Sequence, residues 1–251
     1  MKWYEQLFAS ILRDVVIVVP KQLETFSARR YRKVMVRNFA ERAIGEGRRD
    51  DLASRAPACI SIASQYVHNG ALFVLDVARA VAARRPDVPF FIVDRFGSDT
   101  ALRDEVRAGM EDPRLHGCFE MLPNVLPPEV MGHLNRATIG LNLGLATPNQ
   151  QAALPTKLFE YMAAGLPIVA ADLPNSRTVI VDAQCGLLVP PGDAEAFAEA
   201  ICKLIDDPAL AATCSRNGVE AFERRYNWEA ETEKLRRLYA DAIGPAAARA
   251  D

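Results

Sequence analysis

Residues 154–172, LPTKLFEYMAAGLPIVAAD, decide the fold. They read as a helix running into a buried strand. Pro155 suits the first helical position, where its missing N–H costs nothing. Leu158, Phe159 and Met162 are spaced to form an apolar stripe on one helix face. Gly165 suits the left-handed conformation that stops a helix, and Pro167 blocks its continuation. Ile168, Val169, Ala170 and Ala171 then run without alternation, as in a strand covered on both faces. Lys157 and Glu160 stand out from this apolar background. They share one helix face near its N-terminus, where backbone N–H groups point outward. By spacing alone they are either a surface ion pair on an amphipathic helix or part of a binding site. The ion pair is the more ordinary of the two.

Working outward, the same helix–strand grammar repeats. Strand patterns fall at 59–64, 90–93, 118–122, 139–143, 167–171 and 186–189. Helical patterns fall at 70–84, 101–110, 127–136, 155–164 and 175–181. Asp193 can cap a helix running to residue 205, since its carboxylate can take orphan N–H groups. Two more helical patterns, 209–225 and 228–242, precede an Ala-rich tail at 246–251 that reads as frayed. Six alternations of this kind imply an α/β fold, a doubly wound parallel sheet of Rossmann-like type with extra C-terminal helices. In such sheets ligands sit beyond the carboxyl ends of the strands. The loop 143–155 is such an end and delivers Lys157 and Glu160 to the crevice.

The first fifty residues differ. An amphipathic helix pattern at 2–13 is followed by a strand at 15–19, a helix at 21–29 and a strand at 33–37, one βαβ-like unit. The basic run 29–33 reads as a solvated turn, with attraction to anionic lipid as its functional alternative. Residues 38–57 are polar and read as a linker or a poorly packed connection. The expected division is therefore 1–50, then a full domain at 55–245.

The totals exclude several classes. The chain has 251 residues, of which 50% are hydrophobic and 25% charged, as in an ordinary globular protein. A net charge of −2 gives no basic field for nucleic acid. The five cysteines are scattered without metal-ligand spacing and read as reduced thiols, which suits a cytoplasmic protein. Isolated His68, His116 and His133 suggest no metal. Glu5, Arg13 and Asp14 interrupt the apolar start, and no stretch reaches the roughly 20 apolar residues of a membrane span. At most peripheral membrane contact is expected. No Gly-x-Gly-x-x-Gly follows the strand at 59–64, against a dinucleotide-dependent oxidoreductase. No acidic pair ends that strand, against a response-regulator-like module.

The stretch Pro155-Thr156-Lys157-Leu158-Phe159-Glu160-Tyr161-Met162-Ala163-Ala164-Gly165 resembles the nucleotide-sugar signature of GT-B glycosyltransferases, family 4 in particular. Gly186-Leu-Leu-Val-Pro190-Pro-Gly-Asp193 is similar to that family's Gly-Leu-Val-Pro-Pro-Asp turn. Tyr226-Asn-Trp228 is similar to its Tyr-Ser-Trp. Residues 14–38 resemble the end of its N-terminal domain. The resemblance implies a retaining transfer of a hexose-type sugar from a nucleotide sugar to a glycan or glycolipid, with no metal cofactor. It implies that Glu160 accepts from the ribose hydroxyls, as an ionised carboxylate can. Lys157 and Thr156 would lie by the diphosphate, and the loop holding Asn124 and Val125 would touch the base, as would Gly97.

Three departures accompany the likeness. The family's first glutamate falls on Ala152. Its arginine and lysine after the first strand of this domain are absent from Ile62-Ala-Ser-Gln-Tyr-Val-His-Asn69-Gly70, where Ser64, Asn69 and Gly70 stand instead. His68 reads as structural, with substitution for a missing cation as its functional alternative. The glycine usual after the second strand is Asp94, which would oppose a phosphate if it faced the pocket, with Arg95 beside it to compensate. Residues 1–50 would be only a remnant of an acceptor domain, implying a partner chain or self-association through that segment. Two readings follow. One is the donor-binding part of a glycosyltransferase. The other is a non-catalytic relative that kept the fold as an interaction protein.

Overall fold

The computed structural model describes residues 14–17, 32–115, 117–126 and 129–243. The expected helices at 2–13 and 21–29 and the tail lie outside them. Near the start, β1 (Asp14–Ile17) and β2 (Arg32–Met35) pair in parallel. Then follow β3 (Cys59–Ser61), α1 (Phe73–Ala82), β4 (Phe90–Val93), α2 (Thr100–Met110), β5 (Phe119–Leu122) and α3 (Val130–Leu134). Next come β6 (Ile139–Asn142), α4 (Pro148–Ala152), α5 (Lys157–Ala163), β7 (Ile168–Ala171), α6 (Pro174–Ala183) and β8 (Gly186–Val189). Three helices follow: α7 (Ala194–Asp206), α8 (Pro208–Arg224) and α9 (Trp228–Ile243). Among the described residues no helix is long and apolar enough to cross a membrane.

Strands β3 to β8 form one parallel sheet in the order β5-β4-β3-β6-β7-β8. The chain runs outward from β3 to β4 and β5, then crosses back to place β6 on the other side of β3, so the order reverses between β3 and β6. This is the α/β doubly wound sheet expected from the sequence. Successive strand residues point to opposite faces, and the two faces have separate cores. Ile168 and Ala170 join one with Leu158, Phe159 and Met162. Val169 and Ala171 join the other with α1 and α7. A strand covered twice has no solvated face to alternate with, so its run is continuously apolar.

Two segments depart from expectation. Residues 38–57 are not a loose connection. Phe39 is buried, with its ring 4.4 Å from that of Phe159 and 5.5 Å from that of Tyr226. Two single 3₁₀ turns, Arg42–Gly45 and Leu52–Ser54, shape the segment, and Ile44 is buried. The Arg37 N–H donates to the buried Glu231 carboxylate of α9 at 3.0 Å. Two apolar side chains and a backbone-to-α9 clasp anchor a stretch whose composition is polar. Residues 143–155 contain α4, begun by Thr147, whose hydroxyl accepts from the Gln150 N–H at 3.3 Å, and by Pro148.

The opening stretch folds nearly as its residues dictate. Helix α5 begins at Lys157 rather than Pro155, and Gly165 adopts φ 67° to end it. Tyr161 lies flat against Gly140 of β6, where an added Cβ would sit 2.5 Å from the ring. Its buried hydroxyl accepts from the Ile62 N–H at 3.1 Å and can donate to the carbonyl of Leu141 at 3.0 Å or Ile60 at 3.4 Å. Replacing Tyr161 by Phe strands the Ile62 N–H, at a cost of roughly 1–3 kcal/mol. Urea unfolding should show a lowered midpoint with an unchanged slope, since the surface exposed on unfolding stays the same.

Candidate functional site

The carboxyl ends of β3, β4 and β6 open into a cleft of about 190 Å³. Ile62, Ala63 and Ser64 leave β3 into it, Arg95 leaves β4, and Gln150 comes from α4. Ala153, Pro155, Thr156, Lys157 and Glu160 supply the remaining wall together with Asn69. Five residues singled out from the sequence thus share one cleft: Ser64, Asn69, Thr156, Lys157 and Glu160.

The other four lie elsewhere. Gly70 is buried behind the wall with φ 88°, and a Cβ there would sit 2.6 Å from the Leu143 carbonyl oxygen. It lets the loop after β3 close against β6, a backbone role. Gly97 has φ 61° and faces open space. Asn124 does not line the cleft; its side-chain Oδ1 accepts from Arg95 Nε at 3.0 Å. Val125 packs its side chain on the core beneath the loop. His68 does not line the cleft; its ring stacks on Tyr66 at 5.4 Å.

The charges are unusual for their burial. Lys157 is only 8% exposed, and desolvation lowers its pKa to about 8, partly opposed by the charge of Glu160. Burial raises the pKa of Glu160, while Arg95 and then Lys157 pull it back. Lys157 and Glu160 therefore feel each other without pairing directly, unlike the surface ion pair that spacing suggests. Arg95 places a second cation at the cleft although β3 brings none. Asp94 is turned away, since its carboxylate pairs with Arg103 and lies 3.8 Å from Arg107 of α2. Among the described residues no group of three or more His, Cys, Asp or Glu could hold a metal ion.

Three supporting residues escaped sequence reasoning. Gln65 is buried, donates through Nε2 to the carbonyls of Ala63 at 3.1 Å and Val93 at 3.3 Å, and ties the loops after β3 and β4. Its N–H also donates to the Arg95 carbonyl at 2.9 Å, which positions Arg95. Asn175 of α6 donates to the carbonyls of Ala152 at 3.0 Å and Ala153 at 3.1 Å, holding the end of α4. Gln150 is buried and donates to Asn69 Oδ1 at 2.5 Å. A Thr-Pro helix start at 147–148 was the available signal for Gln150; Gln65 and Asn175 carried none.

A family model described as glycosyl transferases group 1 matches residues 56–207. A phosphatidyl-myo-inositol mannosyltransferase of Mycolicibacterium smegmatis is 29% identical over 182 residues, 70% of this chain and 42% of that protein. The chain spans less than half the length of curated relatives it matches. Among solved structures, sucrose-phosphate synthase from Thermosynechococcus elongatus superposes with a TM-score of 0.76 at 21% identity, covering 95% of this chain and 60% of that one. The Anabaena protein HepE in complex with UDP-glucose gives a TM-score of 0.73 at 16% identity, covering 94% and 66%. At such identities the superpositions establish the shared fold.

The depressed Lys157 sets a pH signature. Below about pH 8 this lysine is charged both folded and unfolded. Between about 8 and the ordinary 10.5, the unfolded chain keeps a proton that the folded chain has shed, so stability rises with pH. Relative to Lys157→Met, the parent should gain up to roughly 3 kcal/mol across that window. Urea unfolding of both proteins at about pH 7.5 and about pH 10 measures it. A constant difference between them would show that Lys157 is solvated.

Proposed function

Because this chain belongs to the glycosyl transferases group 1 family, we propose that its cleft binds a nucleoside diphosphate sugar and that the protein transfers the sugar. One observation carries the reading. A buried lysine, a desolvated carboxylate and an arginine from a neighbouring strand meet at the reversal point of the sheet. In this reading Glu160 accepts from the ribose hydroxyls, a task suited to an ionised carboxylate held in a dry wall. Lys157 and Arg95 face the diphosphate, and Thr156 and Ser64 offer hydroxyls beside it. Asn124, bridged by Arg95, extends the site toward the base.

The chemistry asked of the cleft is stabilisation of a leaving group. When the bond from the anomeric carbon to the diphosphate oxygen breaks, negative charge grows on that oxygen. Cations already fixed in a low-dielectric wall stabilise it without reorganising. Lys157 and Arg95 supply that charge with no metal ion, and transfer of a hexose-type sugar proceeds with retention. The acceptor is a glycan or a glycolipid. Residues 1–50 belong to an acceptor-side domain and 55–245 to the donor-binding one. The β1–β2 pair leaves Val16 43% exposed and offers a surface to further chain or a partner. UDP-glucose occupies the Anabaena neighbour, so uridine donors are the first to try. The competing reading, an interaction protein without a donor, rests on the two missing diphosphate cations and on Ala152 in place of the first glutamate, and Arg95 offers one cation from the next strand.

Calorimetric titration of the full chain with UDP- and GDP-sugars tests the proposal. At least one donor should bind, and Glu160→Ala should weaken it about tenfold or more, as expected for losing hydrogen bonds to a charged group. Lys157→Met should weaken donor and free diphosphate alike. If no donor binds and Glu160→Ala matches the parent, the proposal fails and the interaction reading stands.

A further inference from the structure

The cleft is lined by charged side chains and by neutral polar ones. Along the sheet the order is β4, β3, β6. Arg95 follows β4, Ser64 and Asn69 follow β3, and Gln150 follows β6. With neighbouring strands about 4.8 Å apart, β4 and β6 stand about 10 Å from each other. Lys157 and Glu160 stand on α5, which Tyr161 ties over β3 and β6. Gln150 is the neutral amide that the segment after β6 adds to the wall.

The neutral polar side chains form a built hydrogen-bonding surface. Gln150 is 7% exposed, and its Nε2 donates to Asn69 Oδ1 at 2.5 Å. Asn69 Nδ2 in turn donates to the Ser64 carbonyl at 2.7 Å. Gly144 backs the amide: a Cβ there would lie 2.8 Å from Gln150 Oε1. The side chain is therefore clamped between β6 and the loop after β3. One amide proton binds Asn69, leaving Gln150 a second N–H and its Oε1. No hydrogen bond fills Oε1 among the described residues. A donor and an acceptor side by side match the adjacent hydroxyls of a sugar ring.

We infer that Gln150, held by Asn69, reads hydroxyls of the transferred sugar at the β6 end of the cleft. Ala152, two residues on, has no polar side chain with which to do so. The inference rests on the donor reading above, and it assigns the contact to a neutral amide. A neutral pair tells hydroxyl patterns apart through hydrogen bonds left unmade with the wrong sugar. It adds nothing to binding of the nucleoside diphosphate, which Lys157, Arg95 and Glu160 hold in the donor reading.

The test compares UDP-glucose with UDP, and a GDP-sugar with GDP, by calorimetry on the full chain. Gln150→Met keeps the side-chain length and removes the amide. It should weaken the nucleotide sugar about tenfold and leave the free diphosphate within about twofold. Asn69→Ala, acting from a different loop, should shift the same ratio in the same direction, and serves if Gln150→Met does not fold. Equal losses for sugar and diphosphate, or no loss for either, overturn the inference while leaving donor binding intact. If the parent binds none of the four ligands, the donor reading and this inference fall together.

Discussion

The hydroxyl of Tyr161 reaches the backbone of β3 and β6, the two central strands, just below the point where the cleft opens. Few side chains could do this. The phenol must cross from a helix lying on one sheet face to peptide groups at the strand ends, and Gly140 must be bare to let the ring lie flat. The result ties α5 to the reversal point of the sheet. Lys157 lies one turn before Tyr161 and Glu160 immediately before it, so their depth and direction follow from that contact. A shift of α5 along the sheet would move both charges away from Arg95.

Burial then decides the chemistry. The same two charges on a solvated helix would be worth little to each other and to a ligand. In the wall of the cleft, Lys157 is desolvated enough to titrate near 8 and Glu160 is raised by the same cause. Such groups await a counter-charge, and a ligand that carries one restores what burial removed. Neutral amides do the surrounding work. Gln65 joins the loops after β3 and β4, and Asn175 holds the end of α4. Amides fit these places because they satisfy buried carbonyls without adding charge to a wall already strained by it.

Much of the fold is legible in the chain itself. The unbroken run at Ile168–Ala171 announces a strand covered twice, Gly165 announces the helix stop, and Asp193 caps α7 by accepting from the Ala196 N–H at 2.9 Å. The polar average of 38–57 conceals two buried side chains, Phe39 and Ile44. Helix α4, five residues long, is too short for a periodic signal. At the site, Lys157, Glu160 and Thr156 come from one local stretch, so spacing alone brings them together. Arg95 and Gln150 come from other strands, and no local pattern aims them at the same space.

By itself, then, the sequence determined the parallel α/β architecture, the family and the helix that carries Lys157 and Glu160. The architecture and the helix follow from periodicity and turn chemistry, which act over a few residues, and the family from the resemblance of the motifs at 155–193. The tertiary structure decided that Asp94 turns away into α2 while Arg95 turns in, that Gln150 is clamped against Asn69, and that Gly70, Gly97 and Val125 stand back from the cleft. Those outcomes depend on which loops meet at the reversal point of the sheet and on how much water is left there. Both are set by contacts between residues far apart in the chain.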